Sequence, residues 1–230
     1  MSQEDSILWI KTRDGSPTLW SNELSEPFRS TKGAFSESWA AFVGPALGFA
    51  SKQGLSELRV GEFGLGPGTN WLVMSIAAKY LSLPLSYFVI EKDISFFEAG
   101  YKKWSEIFRE SSAFVAKSLG SDFREMSIDD LDKPKVFKSI DTAVGESPAL
   151  SVCDIWFHDP FGYSVNPEGY SLETLEKCSR LWATQMSGYS YASNRHFKKA
   201  LEAIDGVRVQ VKDTGSDGLK RNRLEFCKGT

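Results

Sequence analysis

Asp159-Pro160-Phe161 follows the apolar run Val152-Cys153-Asp154-Ile155-Trp156-Phe157, so a strand would deliver an acid and an aromatic together to one end of a sheet. A carboxylate within hydrogen-bond reach of an amine can orient it and take its proton. An aromatic beside it can pack on a planar acceptor. Asp159 is therefore the candidate catalytic residue, with Phe161 or Tyr163 as the wall against the acceptor and Asn166 in the same segment. Asp before Pro is also a common turn former, which is the competing reading. A second group lies at Gly61-Glu62-Phe63-Gly64-Leu65-Gly66-Pro67-Gly68-Thr69-Asn70. Glycines at alternate positions let backbone approach a ligand, and free N–H groups at the helix start beyond them favour polar or anionic groups. Phe63, Gly64, Gly66, Gly68 and Asn70 are accordingly candidate contacts to a nucleotide-like ligand. Glu62 narrows the choice, because a pyrophosphate gains nothing from a carboxylate beside it, whereas a ligand with a cationic amino group does. A plain glycine-rich turn has the same composition.

Glu91-Lys92 closes the next apolar run, 85–90, and one carboxylate there can accept hydrogen bonds from both hydroxyls of a ribose. A polar residue in 127–131, Asp129, is the candidate adenine contact. His158 precedes Asp159 on an alternating strand and points to the other side of the sheet; His196 sits among basic residues at a helix start and reads as solvated or phosphate-facing. The net charge of −3 does not announce a nucleic-acid binder, but its distribution is uneven. From 195 to 223 there are eight basic residues (Arg195, Lys198, Lys199, Arg208, Lys212, Lys220, Arg221, Arg223) against four acidic ones (Glu202, Asp205, Asp213, Asp217). Such a segment is a footprint for a phosphate backbone or an ordinary solvated face.

The elements that must position these groups can be read from periodicity. Residues 7–12 and 18–20, around Arg13-Asp14-Gly15-Ser16-Pro17, predict a β-hairpin, and 34–52 a helix that Gly44-Pro45 can kink. Strands are expected at 58–63, 85–90, 122–126, 152–157, 188–192, 207–211 and 224–227, and helices at 70–81, 96–108, 172–185 and 195–204. This alternation predicts an α/β fold, a mostly parallel sheet with helices on both faces, in which ligands bind at the carboxyl edge. Residues 1–52 form an appendage and 53–230 the main domain. The first ten residues lack a secretory pattern, the apolar neighbourhood 71–90 is broken by Lys79 and Pro84, and Cys153, Cys178 and Cys227 lie far apart without a C-x-x-C pair. A cytoplasmic chain is expected, without membrane span, disulfide framework or metal site.

The residues also carry a family resemblance. E-x-G-x-G-x-G after a strand resembles motif I of S-adenosylmethionine (SAM)-dependent methyltransferases, and SAM has the cationic amino group that suits Glu62. Gly61 to Asn70 resembles the G-F-G-x-G-x-N loop of the MnmC-type methyltransferases, and Ile90-Glu91-Lys92 their (I/F)-E-K strand end. Asp154 to Phe161 with Asn166-Pro167 is similar to their D-A-W-F-L-D-G-F-x-P-x-x-N-P segment, and 218–224 resembles a divergent form of the closing G-x-G-R-K-R-E-M. The resemblance implies a Rossmann-like class I methyltransferase with an N-terminal hairpin. It also implies SAM as cofactor and tRNA as partner: methylation of the aminomethyl group of 5-aminomethyl-2-thiouridine at the wobble position. Glu62, Phe63, Gly64, Gly66, Gly68, Asn70, Glu91, Lys92 and Asp129 would hold SAM. Phe161, Tyr163, Asn166, Lys220, Arg221 and Arg223 would face the substrate. The oxidase domain of bifunctional members has no room here, which leaves the methyltransferase module alone. Departures are Pro160 for the glycine after the key Asp, Gly162-Tyr163 for Ala-Pro, and a spread closing motif. Two alternatives stay open: methylation of an exocyclic amino or amide group on another RNA, DNA or protein, since Asp159-Pro160-Phe161 is similar to a D/N-P-P-F/Y motif, and an NAD-dependent oxidoreductase. The latter leaves Glu62 and Asp159 without a role.

Overall fold

The computed structural model describes residues 7–22, 25–146, 152–214 and 222–229. Strands β1 (Ile7–Lys11), β2 (Pro17–Ser21) and β3 (Glu26–Pro27) form a small antiparallel sheet in that order. The turn between β1 and β2 is tied to the first helix: the Asp14 carboxylate accepts from the amide and hydroxyl of Ser36, in the first turn of α1 (Ala34–Ser38). A distant acid thus caps a helix whose own N-cap, Gly33, has no side chain to do so. A π-turn, Trp39–Val43, joins α1 to α2 (Gly44–Gln53), and Gly44 N–H bonds back to Trp39 O. Pro45 has no N–H to continue the ladder, and the π-turn re-phases the hydrogen bonds within the expected helix.

The main sheet alternates strands and helices. Its elements are β4 (Leu58–Phe63), α3 (Thr69–Leu81), β5 (Leu85–Ile90), α4 (Ser95–Glu106), α5 (Phe108–Leu119), β6 (Lys135–Phe137) and α6 (Ile140–Gly145). They continue through β7 (Cys153–His158), α7 (Leu172–Ser179), β8 (Trp182–Ser190), α8 (Arg195–Glu202), β9 (Val207–Asp213) and β10 (Asn222–Lys228). The strand order is β6-β5-β4-β7-β8-β10-β9. The first five strands run parallel, and β10 is antiparallel to both of its neighbours. Ile155 and Phe157 of β7 join one core with Phe42, Leu72, Trp104 and Val115; Trp156 joins the other with Leu175, Phe197 and Phe226. Helices therefore cover both faces. The order reverses between β4 and β7, so their carboxyl ends open a crevice at the centre of the sheet.

Two expectations are corrected. Residues 122–126 are not a strand: they run irregularly, with the amide of Arg124 bonded to Tyr80 Oη and its guanidinium to Tyr80 O, and the third strand is β6. Too few apolar side chains lie in that stretch to pack on a sheet face. The helix expected over 172–185 ends at Ser179, and β8 already begins at Trp182. Here β8 pairs Trp182 with Cys153 and Ser187 with Ile155, and this register shift exposes Thr184 and Gln185 and hides the period-2 pattern.

Candidate active site

The carboxyl ends of β4, β5, β7 and β8 surround a cleft of roughly 1340 Å³, large enough for a nucleoside cofactor and an acceptor. Phe63, Gly64, Gly66, Glu91, Lys92, Asp159, Phe161, Tyr163 and Asn166 line it. Gly64 has φ +86°, and a Cβ there would meet Asp159 O and the Pro160 backbone at 2.8–2.9 Å. The first turn of the glycine loop therefore packs against the end of β7 with no room for a side chain, and the amide of Asp159 donates to Phe63 O at 2.9 Å. Loop and acid are built as one unit. Glu91 holds the loop from the other side: its Oε2 accepts from the amides of Leu65 (3.0 Å) and Gly66 (3.2 Å), and its Oε1 from Asp93 (3.0 Å).

Beneath the cleft lies a buried polar cluster. Glu62 is fully buried and does not line the cavity; its Oε1 accepts from Asn70 Nδ2 (2.7 Å) and its Oε2 from Tyr87 Oη (2.9 Å). Burial, reinforced by the charge of Asp159, pushes Glu62 up to about 8, so it is mostly protonated at neutral pH. Asn70, 1 % exposed, also donates to Asp159 Oδ2 (3.0 Å) and accepts from Ser38 Oγ (2.7 Å). It bridges the two acids. Arg29, from the segment after β3, makes an ion pair with the same Asp159 Oδ2. Asp159 Oδ1 has no hydrogen-bond donor among the described residues. Burial pushes Asp159 up to about 6, against the pull of Arg29 and Asn70.

Aromatics form the walls. Phe28 packs against Phe161 (4.6 Å between centroids) and Phe96 (4.9 Å), and Tyr163 stacks on His196 (4.9 Å, 8° between planes). His158 lies away from the cleft, stacked between Phe63 and Phe197, where burial lowers it to about 3 and keeps it neutral.

Other candidates lie elsewhere. Gly68 starts α3 against Phe97; Asp129 is exposed in a short 3-10 turn, 3.5 Å from Tyr101 Oη; Arg223 on β10 pairs with Glu225. Lys220 and Arg221 fall outside the described residues. Of the basic segment, Lys198 pairs with Glu202 and Arg208 donates to Gly229 O, while Arg195 and Lys199 are exposed on α8. Sequence reasoning missed Phe28, Arg29, Glu37 and Tyr191; the first two lie in a polar, irregular stretch, and Glu37 and Tyr191 in an expected helix and strand whose periodicity does not mark them as site residues.

The family profile described as S-adenosyl-L-methionine-dependent methyltransferase matches residues 109–228, and the chain belongs to this family of SAM-dependent methyltransferases. Among solved structures, that of MnmC2 from Aquifex aeolicus is similar over 96 % of this chain and 70 % of the other, at 23 % identity and a TM-score of 0.68, which shows a shared fold. Human methyltransferase-like protein 13 in complex with SAH (15 % identity, 85 % of this chain and 80 % of that one, TM-score 0.47) is also similar. So is the O-methyltransferase TomG from Streptomyces achromogenes in complex with SAM (13 %, 85 % and 88 %, 0.45). No curated protein sequence matches the chain. Family membership removes the NAD-dependent reading. The site suits SAM: Glu91 at the cleft wall can still accept from one ribose hydroxyl, since a carboxylate has about four acceptor positions and three backbone amides, those of Leu65, Gly66 and Asp93, use three. Among the described residues no helix is long and apolar enough to cross a membrane, and no group of His, Cys, Asp and Glu could hold a metal.

Proposed function

We propose that the chain methylates an aliphatic amine on a tRNA nucleoside, with 5-aminomethyl-2-thiouridine at the wobble position as the acceptor that the D-x-W-F-x-D-x-F-N-P resemblance indicates. SAM, when bound, supplies an electrophilic methyl group on a sulfonium. The observation that supports an amine acceptor is the free Oδ1 of Asp159, on a carboxylate otherwise held from below by Asn70 and Arg29 and locked to the glycine loop. An alkylamine is largely protonated at neutral pH and attacks only as the free base. Asp159 Oδ1 accepts its N–H, orients the nitrogen toward the methyl carbon and takes one proton. The nitrogen lone pair forms the N–C bond, the S–C bond breaks with its electron pair going to sulfur, and the proton passes to solvent. Positioning supplies most of the acceleration. Phe161, edge-on to Phe28, offers an apolar wall to a pyrimidine ring.

On this reading Glu62, Asn70 and Gly68 support the cofactor loop from below, Phe63, Gly64, Gly66, Glu91 and Lys92 face the cofactor, and Asp129 is the expected adenine contact. Tyr163, Asn166, Arg223, Lys220 and Arg221 serve the RNA, as do the exposed Arg195 and Lys199 of α8, the helix that follows the cleft residue Asn194. A cytoplasmic location is the corollary. The test is nucleoside mass spectrometry on tRNA from a strain lacking this modification, incubated with the purified protein and SAM. A gain of one methyl group on 5-aminomethyl-2-thiouridine is expected. No gain, with SAM bound by calorimetry, would refute the acceptor and leave the exocyclic-amine or amide reading, for which Asp159-Pro160-Phe161 is also suited.

A further inference from the structure

The N-terminal sheet sends one charged side chain into the catalytic end of the main sheet. Phe28 N–H bonds to Leu19 O and Arg29 N–H to Thr18 Oγ1, both 2.9–3.0 Å, so β2 fixes the backbone on which Arg29 stands. Arg29 is 6 % exposed, its guanidinium lies 5.3 Å over the Phe42 ring, and its Nη1 is 3.7 Å from Glu37 Oε1 while its Nη2 holds Asp159 Oδ2. Burying a guanidinium is costly unless it is paired, and breaking such a pair leaves an uncompensated charge.

We propose that Arg29 is a positioning residue for methyl transfer: from the N-terminal hairpin it clamps Oδ2 of Asp159 and balances its charge, which leaves Oδ1 to the acceptor. This rests on the reading of Asp159 as the acceptor's base. Around Asp159 the other titratable groups are Glu37 on α1, Glu62 on β4, Tyr87 on β5, Tyr170 ahead of α7 and Tyr191 after β8. None of these five supplies a cation. Burial pushes Glu37 up to about 7, with Arg29 opposing, so three acids compete for one guanidinium. Arg29 touches Asp159 and Glu37 directly, and both line the cleft; its contact with Asp159 is the closer of the two, and Asp159 is the more exposed side chain, 14 % against 4 %. The hairpin thereby decides which acid of the cluster carries the charge.

The experiment is a carboxyl-¹³C NMR titration of the full chain labelled in aspartate, the Asp159 signal being identified by its loss in Asp159→Asn. Wild type is expected to titrate near pH 6. Arg29→Met should move the midpoint up by roughly 1–3 pH units, the size of an opposite-charge effect at contact. Arg29→Lys, which keeps a cation, should stay near wild type. If Arg29→Met does not fold, Arg29→Gln retains hydrogen bonding without charge and is read in its place. A midpoint unchanged in the neutral variant overturns the clamp. The titration needs no acceptor, so it decides the clamp even if no tRNA is methylated. With undermodified tRNA as acceptor, the acid limb of kcat should move up with the NMR midpoint while calorimetric SAM affinity is retained. A limb that stays while the midpoint moves upholds the clamp and overturns Asp159 as the base.

Discussion

Gly64→Ala probes the join between the glycine loop and Asp159. At φ +86° a residue with a Cβ is strained by about 1–2 kcal/mol. The added methyl would also lie 2.8 Å from Asp159 O and 2.9 Å from Pro160 N and Cα, all backbone atoms that cannot rotate away. Forcing them apart costs a further ~1–3 kcal/mol. The sum, about 2–5 kcal/mol, corresponds to a fall in Tm of roughly 4–20 °C for a chain of this size. Two controls separate the contributions. Gly54 has φ +63° with nothing within 4 Å of a Cβ, so Gly54→Ala should lose only the ~1–2 kcal/mol of backbone strain. Gly162 meets nothing and has no positive φ, so Gly162→Ala should stay within about 0.5 kcal/mol of wild type. Because the methyl pushes Asp159 away from the loop, kcat of Gly64→Ala should also fall about 10- to 100-fold, as misplacement of an ångström can do. The assays are thermal melts of the three variants and single-turnover methyl transfer. A Gly64→Ala protein that melts with Gly54→Ala and turns over like wild type would refute the argument that loop and acid form one unit.

Asp159→Asn should keep SAM affinity and lose turnover by about 10²- to 10⁴-fold, and the wild-type kcat should rise with pH through about 6 as Asp159 ionises; unchanged turnover of the variant would remove Asp159 from the mechanism. Glu62 has a folded-state value near 8, raised by burial from an ordinary 4.5, so its contribution to stability is complete below the ordinary value and drains as pH rises through about 8. Glu62→Gln should therefore flatten the decline of Tm across that window, and parallel melting curves would show that Glu62 is ionised in the fold. Replacing Lys220, Arg221 and Arg223 together by Ala should weaken tRNA binding and make the log–log salt slope shallower by roughly 2–3, one phosphate contact each; an unaltered slope would mark the patch as a solvated face.

Much of this protein could be read from contiguous residues. The apolar runs 58–63, 85–90 and 152–157 needed only local period and composition to appear as strands, and Gly64, Gly66, Glu91 and Asp159 fall at strand ends that parallel topology sends to one edge. The Trp182–Gln185 stretch misled because a register shift there breaks alternation, and 122–126 because a short mixed run has no period to measure. Tertiary structure alone decided the state of the acids. Glu62, read from its place beside the loop as a group facing the ligand, turns into the core because Asn70 and Tyr87 meet both its oxygens. Arg29 and Asp159 lie far apart along the chain, and nothing near either residue marks the other as its partner. Periodicity is a property of neighbours in sequence, so it survives in the sequence; charge, burial and ionisation depend on neighbours in space, and those exist only once the hairpin has closed against the sheet.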